Sequence, residues 1–378
     1  MKRQGGSRMR IFSTKIRKRI LCAAAAAVIA VSGTGMTAMP VFGKETEGGQ
    51  ETDMRVEQAE KAMQSFLDRF YVVDEDNDRG EIVGEFFWTR AEMFEIVVDA
   101  YEKTGEEKYK DLMAQMYRGF VKSYGEDWSD NDFNDDIMWM TIGCARAYEL
   151  TGETFYKEQA EHHFKLVFDR AWNDDLGGGL LWKTDQTCKN ACINGPAAIA
   201  GCLLYRITKE EDYLEKAKQI YQWQLDTLCQ GNGAVSDNIE SDGKINTWCS
   251  TYNQGTFIGA SQLLWELTGE QKYLDEAILA ADYTMHEMFH DGVINTEAEG
   301  NDLPGFKGIL ARWLGKLVNE GGQEQYREWM ELNAETAWKN QNAKGLMWTL
   351  WGEKTQDTFY MPWGCSAAIA QLFAVIHK

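Results

Sequence analysis

Tyr101-Glu-Lys-Thr-Gly-Glu-Glu-Lys-Tyr109 recurs along the chain in closely related copies. Three further copies begin at Tyr148, Tyr205 and Trp265, and a more divergent copy runs from Val318 to Tyr326. Three of the five copies combine Thr-Gly, which is typical of a helix end, with acidic residues, which favour the start of a helix, and the other two have Thr208-Lys209 and Gly321-Gly322 in its place. The copies therefore predict the short turns of a series of helical hairpins, as in a repeat architecture.

Working outward from these turns gives twelve predicted helices in two alternating sets. The even-numbered helices are apolar on nearly all sides and rich in small residues, whereas the odd-numbered helices carry one apolar stripe. Six buried helices inside six amphipathic ones predict an all-α fold, an (α/α)6 barrel, and no window of alternation indicates a large sheet. The predicted helices are 55–71, 87–103, 106–124, 135–150, 153–170, 194–208, 210–228, 252–268, 270–289, 304–319, 322–341 and 363–377.

The connections between the predicted helices also alternate, because tight Thr-Gly turns follow the inner helices and long loops precede them. Hairpin geometry then places all the long loops at one end of the barrel. Long loops in a compact domain are usually functional, so we expect the site where the inner helices begin. The long loops are predicted at 72–86, 125–134, 171–193, 229–251, 290–303 and 342–362.

The N-terminal segment has the pattern of a targeting sequence. Residues 2–19 carry eight basic and no acidic residues, an apolar run follows from Ile20 to Val31, and small residues continue to Gly43. This order predicts a signal peptide over 1–43, a short linker over 44–53 and a secreted protein, with the barrel domain over 54–378. A transmembrane anchor is the alternative, but the apolar run is short for a bilayer. We expect no stable membrane anchor after cleavage, and a monomer.

The composition excludes several classes of protein. The chain of 378 residues is 44% hydrophobic and 12% aromatic, which is too apolar for a disordered protein. Its formal net charge is −20, and removal of the signal peptide leaves 31 basic against 59 acidic residues, or −28. Such a charge repels phosphate backbones, so we expect no nucleic-acid partner.

The sequence indicates neither a metal nor a cofactor. Seven cysteines remain after cleavage, and export permits disulfides, but the pairing stays open because the count is odd. The cysteines and histidines lack the spacing of a zinc site. The acidic segment from Asp74 to Glu85 resembles a calcium loop, yet Gly80 falls one place late, so a solvated loop is the favoured interpretation.

The long loops are rich in tryptophan. Sugars stack their C–H faces on indole rings and offer hydroxyl groups to acidic and amide side chains, so this composition suits a carbohydrate site. The alternative is that these rings only pack the loops. Eight of the 14 tryptophans lie in the loops or beside them: Trp88, Trp128, Trp172, Trp182, Trp248, Trp348, Trp351 and Trp363.

The strongest candidate for chemistry is the acidic segment from Trp128 to Trp139, which runs directly into an inner helix. Asn134 is the expected N-cap, so Asp135 and Asp136 are predicted at the mouth of the barrel. Glycoside hydrolysis needs a protonated acid and an ionised carboxylate around the scissile bond. Like charge would raise the pKa of one carboxyl, and the helix N-terminus would keep the other ionised. An ordinary capping cluster is the alternative.

The quoted residues resemble glycoside hydrolase family 76, the endo-α-1,6-mannanases. The resemblance covers essentially all of the chain beyond residue 43. It rests on Phe87-Trp88-Thr-Arg-Ala91, Asn134-Asp135-Asp136-Ile-Met-Trp139, Asn194-Gly-Pro-Ala-Ala198, Ser236-Asp237, Thr251-Tyr252-Asn253-Gln254-Gly-Thr256 and Phe306-Lys-Gly-Ile-Leu-Ala-Arg312.

The resemblance implies an (α/α)6 barrel and hydrolysis with retention of configuration. By position it implies that Asp135 is the nucleophile and Asp136 the general acid/base. The Ala311-Arg312 pair departs from an aromatic-rich form of that helix, which leaves the sugar contacts there open. The resemblance implies no metal or organic cofactor. The residues expected to bind substrate are Trp88, Trp139, Asn194, Asp237, Tyr252, Asn253 and Gln254.

The sequence thus leads to the hypothesis of a secreted endo-α-1,6-mannosidase that acts on α-mannan polysaccharide or oligosaccharide through a covalent mannosyl-enzyme. One alternative is a transglycosidase that uses the same site with a sugar acceptor. The other is a non-catalytic mannan-binding protein, against which the paired aspartates argue. An unsaturated-uronyl hydrolase is disfavoured, because the long loops carry no basic cluster for a carboxylated sugar.

Overall fold

The computed structural model describes residues 45–358 and 360–377, so the signal peptide expected over 1–43 lies outside the described residues. Twelve α-helices dominate this part of the chain. They are α1 Glu45–Phe70, α2 Phe87–Thr104, α3 Glu107–Tyr124, α4 Asn134–Thr151, α5 Thr154–Ala171, α6 Ala191–Thr208, α7 Glu211–Leu228, α8 Thr251–Thr268, α9 Gln271–Glu287, α10 Phe306–Asn319, α11 Arg327–Lys339 and α12 Pro362–Ala374.

The even-numbered helices form a closed inner ring. Each packs on the next, from α2 to α12, and α12 packs on α2. Every residue of α8 from Thr251 to Leu264 is buried, whereas the outer helix α7 buries one face that includes Leu214, Ala217 and Tyr221. A helix buried on all sides can lie only inside other helices. The (α/α)6 barrel expected from the sequence is therefore confirmed.

Glycine lets neighbouring inner helices approach closely. A Cβ on Gly255 of α8 would lie 2.6 Å from Cα of Leu310 on α10. A Cβ on Gly308 of α10 would lie 2.9 Å from Cα of Ala367 on α12. Side chains at these two positions would force the helices apart, so the glycines set the width of the ring.

The recurring threonines build the tight turns at the end of the barrel opposite the long loops. Thr104, Thr151, Thr208 and Thr268 each donate to the carbonyl four residues earlier at 2.7 Å. Each also accepts a hydrogen bond from the backbone N–H two residues later at 3.2–3.3 Å. The residue between is left-handed in all four turns, and it is Lys209 in one of them.

Short strands occur within the long loops, as expected for a fold without a large sheet. β1 (Tyr71–Asp74) pairs with β2 (Arg79–Ile82), and β6 (Phe289–His290) pairs with β7 (Val293–Ile294). β3 (Lys189–Asn190), β4 (Asn238–Ile239) and β5 (Ile245–Asn246) form an antiparallel three-stranded sheet in that order. None of the described helices is both long and apolar enough to cross a membrane.

The structure corrects the linker predicted over 44–53, because α1 begins at Glu45. The segment has no proline, and acidic residues are favourable near a helix N-terminus, so nothing in it ends the helix. The acidic segment that resembles a calcium loop folds into the β1–β2 hairpin. There Asp74 pairs with Arg79 at 2.7 Å and Asp78 with Arg118 at 2.5 Å. The seven cysteines of the described residues are unpaired.

Candidate active site

The repeat architecture places six residues, each the second residue of an inner helix, at the mouth of the barrel. All inner helices begin at the long-loop end, so the second residue of each lies there. These residues are Trp88, Asp135, Cys192, Tyr252, Lys307 and Trp363. Three of them, with their neighbours, line a cleft of about 310 Å³. The complete lining is Phe86, Trp88, Phe133, Asp135, Asp136, Trp139, Trp182, Tyr252, Asp302 and Phe306.

Four aromatic rings in the cleft contact one another in a closed circuit. The ring centroids of Trp88 and Trp139 are 6.2 Å apart, and those of Trp139 and Tyr252 are 6.3 Å apart. Tyr252 lies 3.9 Å from Phe306, and Phe306 lies 5.9 Å from Trp88. Because α2, α4, α8 and α10 each contribute one ring, the barrel holds these aromatic side chains rigidly at the cleft.

Asp135 and Asp136 begin α4 beside these rings, and the pKa of each is raised. Burial and then the charge of Asp136 raise the pKa of Asp135 well above its ordinary value, while Cys192 and Trp182 beside it partly offset the rise. Burial raises the pKa of Asp136 to about 6, against a hydrogen bond from Asn131 that lowers it. Since the two carboxyls repel each other when both are ionised, the pair favours holding one proton.

The expected N-cap at Asn134 is wrong, because Asn134 is the first residue of α4 and Phe133 precedes it. Its side chain is used elsewhere: Nδ2 donates to the carbonyl of Leu181 at 2.8 Å, and Oδ1 accepts from Arg170 at 2.6 Å. These bonds join the start of α4 to the loop before α6 and to the last turn of α5. Asn134 therefore holds in place the first turn of α4, which carries the two aspartates.

Two of the predicted substrate contacts lie behind the cleft lining. Asn194 is fully buried and exchanges hydrogen bonds with the backbone of Leu180 at 2.8 and 3.2 Å. Gln254 accepts from the N–H of Val235 at 2.6 Å and donates to the carbonyl of Gly233 at 2.9 Å. Their amides are occupied by backbone groups, so they shape the long loops before α6 and α8.

Asp237 and Asn253 form a pair next to the cleft. Nδ2 of Asn253 donates to Oδ1 of Asp237 at 3.2 Å, and Nδ2 of Asn246 donates to Oδ2 of Asp237 at 3.3 Å. Burial raises the pKa of Asp237. Oδ1 of Asn253 is buried and has no hydrogen-bond partner among the described residues. The structure thus leaves this pair with unused hydrogen-bonding capacity, although neither residue is part of the cleft lining.

Five residues of the cleft lining were not among the expected catalytic or substrate-binding residues. Trp182 was named only as one of the tryptophans of the long loops. Phe86 and Phe133 each directly precede an inner helix, so counting back one residue from each helix start would have found them. Phe306 was quoted in a motif but was not assigned to substrate. Asp302 lies in the long loop before α10, where nothing in the sequence separates it from other loop acids.

One group of three potential metal ligands comes together among the described residues, namely Asp127, His162 and His163. Nε2 of His163 accepts the N–H of Trp128 at 3.2 Å, and Nδ1 bonds the carbonyl of Gln159 at 2.9 Å. The indole of Trp128 stacks on the same ring at 3.7 Å. Both nitrogens of His163 are thus engaged, and the cluster holds the loop before α4 in place.

The comparison with protein families places this arrangement in a known group. Residues 55–376 match the family model described as glycosyl hydrolase family 76. The chain belongs to this family. The match begins within α1 and ends just after α12, so the whole described barrel is the family 76 domain.

Solved structures of similar chains have the same fold. An inactive variant of an alpha-1,6-mannanase from Salegentibacter sp. HEL1_6, with two consecutive aspartates replaced by asparagine, is in complex with alpha-1,6-mannotriose. It is 34% identical, has a TM-score of 0.78, and the match covers 85% of this chain and 99% of that one. The Lin0763 protein of Listeria innocua is 31% identical with the same TM-score, covering 85% and 96%.

Curated relatives are more distant. A mannan endo-1,6-alpha-mannosidase of Saccharomyces cerevisiae is 26% identical over 304 residues, which are 70% of this chain and 66% of the relative. A putative mannan endo-1,6-alpha-mannosidase of Schizosaccharomyces pombe is 24% identical over 260 residues, or 61% and 58%. The chain therefore spans less than two thirds of the length of these relatives.

Proposed function

We propose that this protein is an endo-α-1,6-mannosidase that hydrolyses α-1,6-mannan backbones with retention of configuration. The observation that carries the proposal is the consecutive pair Asp135 and Asp136 at the start of α4, inside a cleft walled by aromatic rings. In the similar mannanase from Salegentibacter, the variant that lacks two consecutive aspartates is inactive and binds alpha-1,6-mannotriose. A cleft with this pair and these stacking surfaces suits the same substrate.

The pKa of Asp136 supports its role as the general acid. Asp136 has a pKa of about 6, so a substantial part of it is protonated in mildly acidic solution, as a general acid requires. When Asp136 holds its proton, its charge no longer raises the pKa of Asp135. Burial, the largest cause, still raises the pKa of Asp135, and the hydrogen bonds from Cys192 and Trp182 and the positive N-terminus of α4 act against it. The role of Asp135 as the nucleophile therefore rests on its position in the motif Asn134-Asp135-Asp136, as the family resemblance implies.

The proposed reaction has two steps. Asp135 attacks the anomeric carbon, and Asp136 gives its proton to the leaving glycosidic oxygen, so the C–O bond breaks as the mannosyl-enzyme ester forms. Asp136 then takes a proton from water, and the water oxygen displaces Asp135 from the anomeric carbon. Trp88, Trp139, Tyr252 and Phe306 form part of the lining of the cleft that would receive the mannose rings.

The first test is product analysis on linear, debranched α-1,6-mannan. We expect short oligosaccharides from the wild type and a loss of at least about a hundredfold for Asp135→Asn and Asp136→Asn, because each removes a group that acts in the transition state. The matched control is Asp174→Asn, in a second consecutive aspartate pair that is exposed and outside the cleft. Retention on mannan without products would favour the binding protein, and elongated products the transglycosidase.

The second test separates the two roles with an activated mannosyl substrate and azide. In Asp136→Ala, the nucleophile remains and azide replaces the water that Asp136 would activate as a base, which should give the α-mannosyl azide. In Asp135→Ala, azide attacks the substrate directly and should give the β-mannosyl azide. Exchanged products would reverse the assignment, and β-mannose as the first product of the wild type would contradict retention.

We further propose that the enzyme works outside the cell. The basic and then apolar order of residues 2–31 supports export, and an extracellular location fits a polymer that cannot enter a cell. Recovery of the processed protein from culture medium, with an N-terminus near residue 44, would test this.

A further inference from the structure

Asn131 is the hydrogen-bond donor that the structure gives to Asp136. Its Nδ2 lies 3.1 Å from Oδ2 of Asp136. The orientation of the amide is fixed, because Oδ1 of Asn131 accepts the backbone N–H of Phe133 at 3.0 Å. A reversed amide would place its oxygen against the carboxylate and its NH₂ against the N–H. Asn131 is therefore set to donate to Asp136.

Arg170 holds the loop that carries Asn131. It lies in the last turn of α5, at the same end of the barrel as the cleft. Three nitrogens of its guanidinium each bond a different oxygen: Nη1 to the carbonyl of Ser129 at 2.9 Å, Nη2 to the carbonyl of Asn131 at 2.7 Å, and Nε to Oδ1 of Asn134 at 2.6 Å. One side chain thus spans the loop and the first residue of α4.

Only arginine can make this contact. A planar guanidinium presents its N–H groups in fixed directions, whereas a lysine ammonium is a single point of charge on a flexible stem. A lysine here could reach one of the three oxygens but could not fix their separation. The loop also binds the loop before α6, since the N–H of Thr184 donates to the carbonyl of Asp132 at 3.0 Å.

We propose that Asn131 and Arg170 act together as positioning residues for the general acid, with Arg170 holding Asn131 and Asn131 holding the carboxyl of Asp136 in its orientation. This inference rests on the proposed function, in which Asp136 is the acid. Neither residue is part of the cleft lining. Both act on the reaction only through Asp136.

The direction of the effect follows from the groups around Asp136. They are Asp135 on α4, Asp302 in the loop before α10 and Tyr124 at the end of α3. Burial and Asp302 raise the pKa of Asp136, and the Asn131 donor lowers it. Loss of the donor leaves the raising causes unopposed, so the pKa should rise and the acid should stay protonated to higher pH.

The test is the pH dependence of kcat/KM on linear α-1,6-mannan for Asn131→Ala and Arg170→Lys. In both variants we expect the basic limb of the kcat/KM pH profile to shift to higher pH by about 1 unit, as for loss of a hydrogen bond to a charged group. We expect kcat to fall by about tenfold with KM little changed, because the acid itself remains. The double variant should show no larger shift than either single variant, since both changes remove one interaction.

The matched control is Asn232→Ala. Asn232 accepts the N–H of Ala234 at 3.1 Å in the same kind of two-residue turn, but it lies exposed in another long loop. Its removal should leave the basic limb in place. The proposal would be overturned if the basic limb of the kcat/KM profile does not shift in Asn131→Ala. It would also be overturned if the shifts of the two single variants add in the double variant. If Arg170→Lys does not fold, Asn131→Ala still decides the role of the donor.

A measurement without substrate separates this inference from the proposed function. Infrared titration of the wild type minus Asp136→Asn isolates the carboxyl band of Asp136, and the same difference in the Asn131→Ala background gives its shift. A raised pKa in a protein that lacks mannanase activity would support the positioning and contradict the function. An unchanged pKa of Asp136 in an active enzyme would support the function and contradict the positioning.

Discussion

At the residue scale, two neighbours of Asp136 act on its proton in opposite directions. The Asn131 amide lowers the pKa of Asp136, and the charge of Asp302 raises it. They approach from loops that are far apart in the sequence, before α4 and before α10. Burial is the largest cause of the pKa of about 6, and both loops modify it, so the value is a property of the assembled cleft.

Asp302→Asn should move the basic limb of kcat/KM to lower pH, opposite in direction to Asn131→Ala. Removal of the negative charge makes ionisation of Asp136 easier, so its pKa falls from about 6 and the protonated acid is lost earlier. The shift should shrink at high salt, because ions screen a charge in an open cleft. The control is Asp291→Asn, an exposed acid of the same loop. A basic limb that moves to higher pH in Asp302→Asn would contradict the conclusion that Asp302 raises the pKa of Asp136.

The sequence could predict the residues whose place follows from the repeat. Asp135, Trp88 and Tyr252 each stand second in an inner helix, so the turns upstream and downstream determine their position. Asn194 and Gln254 also stand near inner helix starts, but an amide there serves a sugar or a loop backbone equally well. Which one it serves depends on loops whose paths the sequence does not specify.

At the element scale, the tight turns show how much one residue matters. Three of the four turns place glycine in the left-handed position, at Gly105, Gly152 and Gly269, and the fourth places Lys209 there with φ of 64°. A side chain in that conformation costs roughly 1–2 kcal/mol. The hairpin of α6 and α7 therefore carries strain that the other hairpins lack.

Lys209→Gly should stabilise the protein. Relief of the strain outweighs the extra freedom of glycine in the unfolded chain, which costs about 0.4–1 kcal/mol, so the free energy of unfolding should rise by about 0.5–1 kcal/mol. Urea denaturation measures this as a higher midpoint at constant slope. The reciprocal control, Gly152→Lys, should lower the midpoint. Equal midpoints for Lys209→Gly and the wild type would show that the turn is not strained.

The helix boundaries were less predictable than the helices themselves. We expected the sixth helix to begin at Asn194, two residues before Pro196, but α6 begins at Ala191. The N–H of Ala191 donates to the carbonyl of Asp237 at 2.8 Å. This contact joins residues from two different long loops, so the local sequence holds no sign of it.

At the scale of the whole molecule, a buried charge network closes the barrel. Arg312 on α10 bonds Asp99 on α2 at 2.8 Å and Glu92 on α2 at 2.7 Å, and Arg146 on α4 bonds the other oxygen of Asp99 at 2.7 Å. In the ring, α12 lies between α10 and α2, and its small residue Ala370 lies beside the network. Arg312, whose role the sequence left open, thus stabilises the barrel by joining α10 to α2.

Arg312→Met should therefore destabilise the barrel strongly, by about 3–5 kcal/mol, because it leaves buried carboxylates without their counter-charge. Arg206→Met, which breaks a partly exposed pair with Glu149, should cost no more than about 1 kcal/mol. Urea denaturation at a single pH compares the two. Equal losses would mean that the Arg312 network contributes no more than a surface ion pair.

The pH dependence of that loss gives the sharper test of the network. Arg312 lowers the pKa of Glu92, which burial nevertheless raises to about 7. Without Arg312 that pKa rises further, so the folded state holds a proton that the unfolded chain releases above its ordinary pKa of 4.5. Folding then takes up protons, and stability falls as pH rises from that value. Arg312→Met should thus lose more stability at about pH 8 than at about pH 5. A loss that is equal at both values would mean that the packing of Arg312, and not its charge, closes the ring.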